Sequence, residues 1–204
     1  MLNAEQHAAI AAAIQRAEAT TSGEIRVALT DRPLIRHPFY AVMWAALIAL
    51  ALPWPLALLT TLSIPELLAI QAVSFIVVNA ALMFTPLGQR VVPRTALDAA
   101  ARAAAIDHFL AQGIHQTQAR TGVLIMVALR EHIVEVVADE GIHARVGHEA
   151  WQAVCETVLA GARDNRLTDG LVEGVAHAGR ILSAHLPCRP DDTNELPDRV
   201  VIID

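Results

Sequence analysis

The sequence predicts a small α/β domain with a mixed sheet, interrupted by a two-helix transmembrane hairpin. Three observations support this prediction. Short apolar segments typical of strands alternate with amphipathic segments typical of helices. The block from Phe39 to Leu87 is almost wholly apolar, with Glu66 its only charged residue. Strand-like segments lie on both sides of that block, so we expect it to be an insertion within a single domain.

The apolar block divides near Pro65 into two segments, 39–62 and 67–87. Each segment reaches the roughly 20 apolar residues that a membrane-spanning helix needs. Pro53 and Pro55 predict a kink in the first span, and a re-entrant helix is the alternative there. The sequence therefore predicts an integral protein of an inner (plasma) membrane, in contact with the lipid bilayer.

Arginines flank the apolar block at both ends. Arg32 and Arg36 precede the first span, Arg90 and Arg94 follow the second, and the short connection carries Glu66 and no base. Because basic residues accumulate on the cytoplasmic side of a membrane, both termini are predicted to be cytoplasmic. Strands before and after the block can share one sheet only if both lie on the same side of the bilayer. This requirement agrees with the topology that the arginines predict.

The first half of the domain consists of a helix and a strand before the block, and a helix after it. The first helix begins at Asn3, which can form a capping box with Gln6, and it ends before Gly23. Segment 24–30 alternates polar and apolar residues, which predicts the first strand. Segment 95–112 has a loose helical stripe of apolar residues, so it is predicted to be the second helix of the domain.

The second half contains two strands and two helices. Segment 122–129 has no polar alternation, which suits a central strand covered on both faces. Segment 133–139 follows after a short turn, so these two segments predict an antiparallel hairpin. The connection between the first and second strands passes through a helix, which predicts a parallel pair. Helices are predicted at 148–163 and 168–186, followed by a tail at 187–204 that carries a short apolar stretch.

Composition excludes several classes of protein. All fifteen basic residues are arginine, so a P-loop lysine, a Schiff-base lysine and a Ser-Lys dyad are excluded together. The net charge is −6 with no basic stripe, so no nucleic-acid partner is expected. Cys155 and Cys188 stand far apart in no CxxC spacing, which indicates neither a zinc knuckle nor a disulfide framework.

Four segments resemble the TPM domain family: Thr21-Ser22-Gly23-Glu24-Ile25-Arg26-Val27, Arg120-Thr121-Gly122-Val123-Leu124-Ile125-Met126-Val127, Val134-Glu135-Val136-Val137-Ala138-Asp139-Glu140-Gly141-Ile142 and Arg166-Leu167-Thr168-Asp169-Gly170-Leu171. The family is an α/β/α sandwich that includes thylakoid-lumen proteins linked to photosystem repair and many bacterial membrane-anchored proteins. The resemblance implies one discontinuous domain of the same kind, made of residues 1–36 and 95–186.

The resemblance also implies a candidate cation site, because some members of the family bind divalent cations. The ligands that the resemblance implies are Asp139, Glu140 and Asp169, and His143 is a further candidate because it lies close to Asp139 and Glu140 in the sequence. Carboxylates and imidazole supply the oxygen and nitrogen donors that Ca, Mn or Zn take in proteins. The alternative is that the acidic residues form only a turn and the histidine is solvated. No further cofactor is expected.

One departure from the family affects this site. Many members have Asp-Asn-Gly before the central strand, where this sequence has Arg120-Thr121-Gly122. An acidic group that could help to hold a cation is therefore replaced by a base.

The function predicted from the sequence is a non-enzymatic binding or assembly module at the cytoplasmic membrane surface, with a protein partner. The alternative is a metal-assisted phosphoesterase, as the phosphatase suggestion in the family's name implies. None of the four serines lies in a nucleophile-elbow pattern, and Cys155 is predicted to be a buried core thiol, so no catalytic residue is assigned. A small oligomeric channel or transporter is a weaker alternative, and homo-oligomerisation stays open.

Overall fold

The computed structural model describes residues 2–35, 38–189 and 194–203, with the side chain of His148 outside this description. Arg36, one of the arginines used for the topology prediction, also lies outside it. The chain divides into two compact units. The first contains Met1–Leu34 and Asp98–Asp204, and the second contains Ile35–Leu97.

The first unit is built on a mixed four-stranded sheet. Its strands are β1 (Glu24–Thr30), β2 (Gly122–Ala128), β3 (Ile133–Ala138) and β4 (Val200–Ile203). Their order across the sheet is β3-β2-β1-β4. Strand β1 pairs in parallel with β2 and β4, whereas β2 and β3 are antiparallel. The predicted α/β class and mixed sheet are confirmed.

The helices of both units, in chain order, are α1 (Ala4–Glu18), α2 (Phe39–Ala51), α3 (Pro53–Leu59), α4 (Ile64–Phe84), α5 (Leu87–Arg90), α6 (Arg94–Ala111), α7 (Glu140–His143), α8 (His148–Arg163) and α9 (Leu167–His185). Helix α1 begins with the predicted capping box, in which Asn3 and Gln6 exchange hydrogen bonds of 2.8 Å. The bounds of α8 agree with the prediction, and those of α6 and α9 differ from it by one residue at each end.

Helices cover both faces of the sheet. Along β1 and β2, residues such as Val27 and Ile125 face one apolar core that they share with α1, α8 and α9. Their neighbours Leu124 and Met126 face a second core that includes Phe109 of α6. Each fully buried aliphatic side chain stabilises the fold by about 1.5–3 kcal/mol relative to its exposed state. Burial on both faces explains why β2 shows no polar alternation in the sequence.

The fourth strand is not predicted from the sequence, which indicates only a short apolar stretch in the tail at 187–204. Strand β4 lies in parallel beside β1, with Val200 opposite Val27 and Ile203 opposite Thr30. The segment before β4 is held by the sheet as well, since Arg26 donates a hydrogen bond from Nη1 to the Pro197 carbonyl. Four apolar residues near a chain end carry no periodicity of their own, and their pairing partner lies at the other end of the sequence.

The second unit contains two candidate membrane spans. Residues Phe39–Leu59, which combine α2 and α3, and residues Ile64–Phe84, which form α4, are each 21 residues long, with mean hydropathy 2.1 and 2.2. Helix α2 ends before Pro53, where a kink is predicted, and α3 begins there. By length and composition both spans could cross a bilayer.

These two helices pack against each other through small side chains. On α2, the residues buried within the unit are Ala41, Ala45 and Ala49, which recur every fourth position and so share one face. Small residues let helix backbones approach closely, as they do between membrane helices. The remaining surface is apolar and exposed, and Leu58 and Phe84 are each 85% exposed.

Candidate functional site

Three of the four predicted cation ligands lie where β3 ends. Asp139 follows β3 directly, and its N–H donates to the Gly122 carbonyl at 2.9 Å, which places it beside the start of β2. The Asp139 carboxylate caps α7 by accepting a 2.7 Å hydrogen bond from the Glu140 N–H. Asp139 is only 5% exposed, whereas Glu140 and His143 are exposed.

An arginine lies against this buried carboxylate. The distance between Arg120 Nε and Asp139 Oδ1 is 3.3 Å. Arg120 Nη1 also donates a 3.0 Å hydrogen bond to the His115 carbonyl, so the guanidinium is held at two points. The other carboxylate oxygen, Asp139 Oδ2, is buried and makes no hydrogen bond with any described residue. A buried polar atom without a partner costs about 1–3 kcal/mol.

The backbone around Arg120 is tightly packed. Arg120 has φ +56°, in the left-handed region, and its carbonyl accepts a 3.1 Å hydrogen bond from the Gly141 N–H. A Cβ added to Gly141 would lie 2.6 Å from both the Ala119 and the Arg120 carbonyl oxygens, so the contact requires glycine. This close approach joins α7 to the loop before β2.

The fourth predicted ligand, Asp169, lies at the opposite end of the sheet. It borders a cavity with Leu29 and Leu129, which mark the carboxyl ends of β1 and β2. Asp139 lies instead at the amino end of β2. Within residues 2–35, 38–189 and 194–203, no group of three His, Cys, Asp or Glu side chains is close enough to hold a metal ion.

The residues at Asp139 therefore do not fit a divalent cation. A calcium ion takes about six to eight oxygen ligands, and this site offers one buried carboxylate oxygen that is not already hydrogen-bonded or paired. The guanidinium of Arg120 places a positive charge 3.3 Å from Oδ1 of the same carboxylate, where it would repel a cation. Where many family members have an aspartate before the central strand, this chain has Arg120, and in the structure Arg120 pairs with Asp139.

The cavity at the carboxyl ends of the parallel strands has a volume of about 640 Å³. One part of its lining is aliphatic and consists of Leu2, Leu29, Leu129, Leu167, Ile202 and Ile203. The polar part includes Gln6, Asp31, Arg32, Arg166, Thr168 and Asp169. The lining is thus about equally aliphatic and polar, and in α/β sheets ligand sites lie at this end of the strands.

Two features leave polar groups available in the cavity. Arg166 is the N-cap of α9, and its side chain makes no capping hydrogen bond. It therefore accepts no hydrogen bond from the backbone N–H groups of the first turn. Thr168 Oγ1, in the same turn, is buried without a hydrogen-bond partner among the described residues. Asp31 pairs with Arg130 at 3.7 Å and Arg166 pairs with Asp164 at 3.0 Å.

The sequence analysis missed this cavity. It assigned Arg32 to the membrane flank and 200–203 to the tail, although Asp31 and Leu129 directly follow two strands predicted to be parallel. The carboxyl ends of parallel strands meet at the same edge of a sheet, and this rule could have brought those residues together. The same rule could not have shown that β4 lines the cavity, because residues 200–203 are not predicted to be a strand.

A third group of charged side chains holds the C-terminal segment to the sheet. The pKa of Glu18 is raised to about 8, chiefly by burial and also by the nearby carboxylates of Glu24 and Asp198, against a hydrogen bond from the Ile25 N–H that lowers it. That hydrogen bond is 2.8 Å long. Arg26, which is 4% exposed, has its pKa lowered chiefly by burial. We expect Glu18 to be protonated at neutral pH.

Cys155 packs against the core formed by α1, α8, α9 and the sheet. The pKa of its thiol is raised to about 11, chiefly by burial and secondly by the neighbouring Glu135 carboxylate. Because the thiolate is the nucleophile, Cys155 is unsuited to nucleophilic catalysis, in agreement with its predicted role as a core thiol.

Comparison with known proteins gives a family and a fold. Residues 90–181 match the family model of the TPM domain. The NMR structure of the BA42 protein from the psychrophilic bacterium Bizionia argentinensis is similar, with a TM-score of 0.63 and 23% sequence identity. That similarity covers 99% of this chain and 95% of BA42, and it establishes the shared fold. Among curated proteins, none matches this chain.

Proposed function

Because this chain carries a TPM domain, we propose that it is a membrane-anchored TPM domain protein that acts as a binding or assembly module. The observation that carries the proposal is the exposure of its two apolar helices. Only 11% and 0% of the most apolar windows of Phe39–Leu59 and Ile64–Phe84 are buried. The core helix of a soluble protein would be buried, and a signal sequence would precede the domain, whereas these helices follow strand β1.

The arrangement of the chain supports a topology with both termini in the cytoplasm. Strands β1 and β2 pair in one sheet although the two spans lie between them in sequence. Both ends of the hairpin must therefore return to the same side of the bilayer. The arginines at 32, 90 and 94, outside the spans, favour the cytoplasmic side.

We assign the binding role to the cavity at the carboxyl ends of β1, β2 and β4. Its aliphatic floor can take an apolar group of a protein partner, and Thr168 and Arg32 can fix a polar group beside it. The alternative, a metal-assisted phosphoesterase, has less support. The predicted ligands Asp139 and Asp169 lie at opposite ends of the sheet, and Cys155 has a raised pKa.

Photo-crosslinking in native membranes tests the binding role. A benzophenone amino acid is introduced in place of Ile202, which borders the cavity and is 39% exposed. The matched control carries it in place of Glu156, an exposed residue of α8 that does not line the cavity. We expect a reproducible protein adduct from the first variant only. Identical adducts from both, or adducts with lipid alone, would contradict a partner-binding cavity.

A phosphatase assay tests the alternative. The full chain in detergent is given a generic phosphomonoester with and without Mn²⁺ or Ca²⁺, beside its Asp139→Ala variant. We expect turnover of the unmodified chain to equal that of the variant, because the Asp139 carboxylate is paired with Arg120 and belongs to no group of three possible metal ligands among the described residues. Metal-dependent turnover that Asp139→Ala abolishes would establish the phosphoesterase instead.

A further inference from the structure

The buried carboxylate of Asp139 needs a counter-charge, because an ionised group that is removed from water is costly unless it is paired. The structure places the Arg120 guanidinium beside it, with Nε 3.3 Å from Asp139 Oδ1. We propose that Arg120 is the resident cation of this site, so that the TPM domain of this chain works without a divalent metal ion. The inference is independent of the membrane anchor and of the cavity.

Hydrogen bonds hold this guanidinium and its backbone in place. The Arg120 N–H donates to the Thr117 carbonyl at 3.0 Å, and the Arg120 carbonyl accepts from the Gly141 N–H at 3.1 Å. Its Nη1 donates to the His115 carbonyl at 3.0 Å. The Arg120 side chain is half exposed, and these contacts hold its guanidinium beside the buried Asp139.

The backbone conformation of Arg120 is unfavourable for arginine. Its φ of +56° lies in the left-handed region, which glycine, asparagine and aspartate adopt more readily than other residues. An arginine at this position accepts local strain that a smaller residue would avoid. The ion pair with Asp139 gives a physical reason for arginine here, since the alternatives would leave a buried carboxylate without a counter-charge.

The same geometry predicts how the site could be converted. An aspartate at position 120 suits the left-handed backbone and would bring a second carboxylate towards Asp139, whose Oδ2 is buried without a described partner. Two carboxylates with nearby backbone carbonyls are ligands that a hard divalent cation prefers. Removing the guanidinium should therefore create cation binding that the unmodified chain lacks.

The experiment uses the full chain in detergent micelles, with the unfolding midpoint followed by tryptophan fluorescence in chelator and in millimolar Ca²⁺ or Mn²⁺. The midpoint of the unmodified chain should be the same in all three. The midpoint of Arg120→Asp should rise by about 3–6 °C when the cation exceeds its Kd roughly tenfold. The double variant Arg120→Asp with Asp139→Asn should lose that response. Calorimetric titration should find one site in Arg120→Asp and none in the unmodified chain.

Two results would overturn the proposal. One is a cation response of the unmodified chain that Asp139→Asn abolishes, because a metal ion would then share the site with Arg120. The other is a folded Arg120→Asp protein that shows no cation response. If Arg120→Asp does not fold, the Arg120→Gly variant tests the proposal in its place, because glycine readily adopts φ +56°. Its midpoint should rise in millimolar methylguanidinium only while Asp139 is present, and the lack of such a rise would equally reject the proposal.

Discussion

Two carboxyl groups of the first unit, Asp139 and Glu18, are removed from water to different extents. Their surroundings also differ. Asp139 has a guanidinium at 3.3 Å, whereas Glu18 lies near two further carboxylates and has a raised pKa. The sequence analysis named Asp139 because it ends a strand in a family motif. It had no signal for Glu18, because the neighbours that perturb Glu18 come from β1 and from the C-terminal segment.

Replacing Glu18 by glutamine should stabilise the protein at pH 8. The folded-state pKa of Glu18 is about 8 against the ordinary value of 4.5, so between these values the unfolded chain loses a proton that the folded chain keeps. This group therefore reduces stability as pH rises from 4.5 to 8. Because Glu18 is only partly buried, solvent screens its charge, and we expect a gain of only about 1–2 kcal/mol at pH 8, with little change near pH 4.5.

Denaturant unfolding at pH 5 and pH 8 measures this effect. The glutamine keeps an oxygen that can accept the hydrogen bond from the Ile25 N–H, so packing is preserved. Glu156→Gln, an exposed site on α8, is the control and should leave the pH dependence unchanged. An equal pH dependence in Glu18→Gln and the unmodified chain would show that Glu18 is ionised in the folded state.

The two cysteines should differ strongly in alkylation. With its pKa raised to about 11, Cys155 is thiolate to roughly one part in a thousand at pH 8. Cys188 is exposed. Iodoacetamide should therefore modify Cys188 first in the folded protein and both cysteines after unfolding, as peptide mass spectrometry can measure. Equal rates in the folded protein would mean that Cys155 is neither buried nor protonated as described.

Local signals predict most of the helices and strands, and distant contacts determine the rest. The capping box at Asn3, the apolar run of β2 and the amphipathic pattern of α8 are each contained within a few turns of chain. Strand β4 is different, because its four residues become a strand only by pairing with β1. The predicted ligands Asp139 and Asp169 lie at opposite ends of the sheet because of the way the strands pair. Sequence periodicity does not specify that pairing.

Close packing explains a glycine in one of the family motifs. Helices α8 and α9 meet where a Cβ on Gly170 would lie 2.9 Å from the Gly161 Cα and 3.1 Å from the Val158 carbonyl oxygen. Gly170→Ala should therefore destabilise the domain by about 1–3 kcal/mol through overpacking, although alanine normally favours helix. Gly147→Ala is the control, because nothing lies within 4 Å of its added Cβ. A thermal scan in which Gly170→Ala is neutral or stabilising would contradict this close contact.

At the scale of the whole molecule, the two units differ in the side chains they expose. The first unit buries its apolar residues in two cores on either side of the sheet. The second exposes large apolar side chains along both of its long helices, among them Trp54 at 75% and Phe84 at 85%. Exposed apolar surface of this extent marks a membrane or an interaction site. The two units therefore differ in physical character, since the first buries its large apolar side chains and the second exposes them.

Alkaline carbonate extraction of native membranes tests the membrane anchor most directly. The full chain should stay in the membrane pellet and be released only by detergent, because we propose that two apolar spans of 21 residues each hold it in the bilayer. A variant in which residues 35–97 are replaced by a short glycine-serine linker should be recovered in the soluble fraction. Release of the full chain into the carbonate supernatant would contradict a membrane-anchored TPM domain.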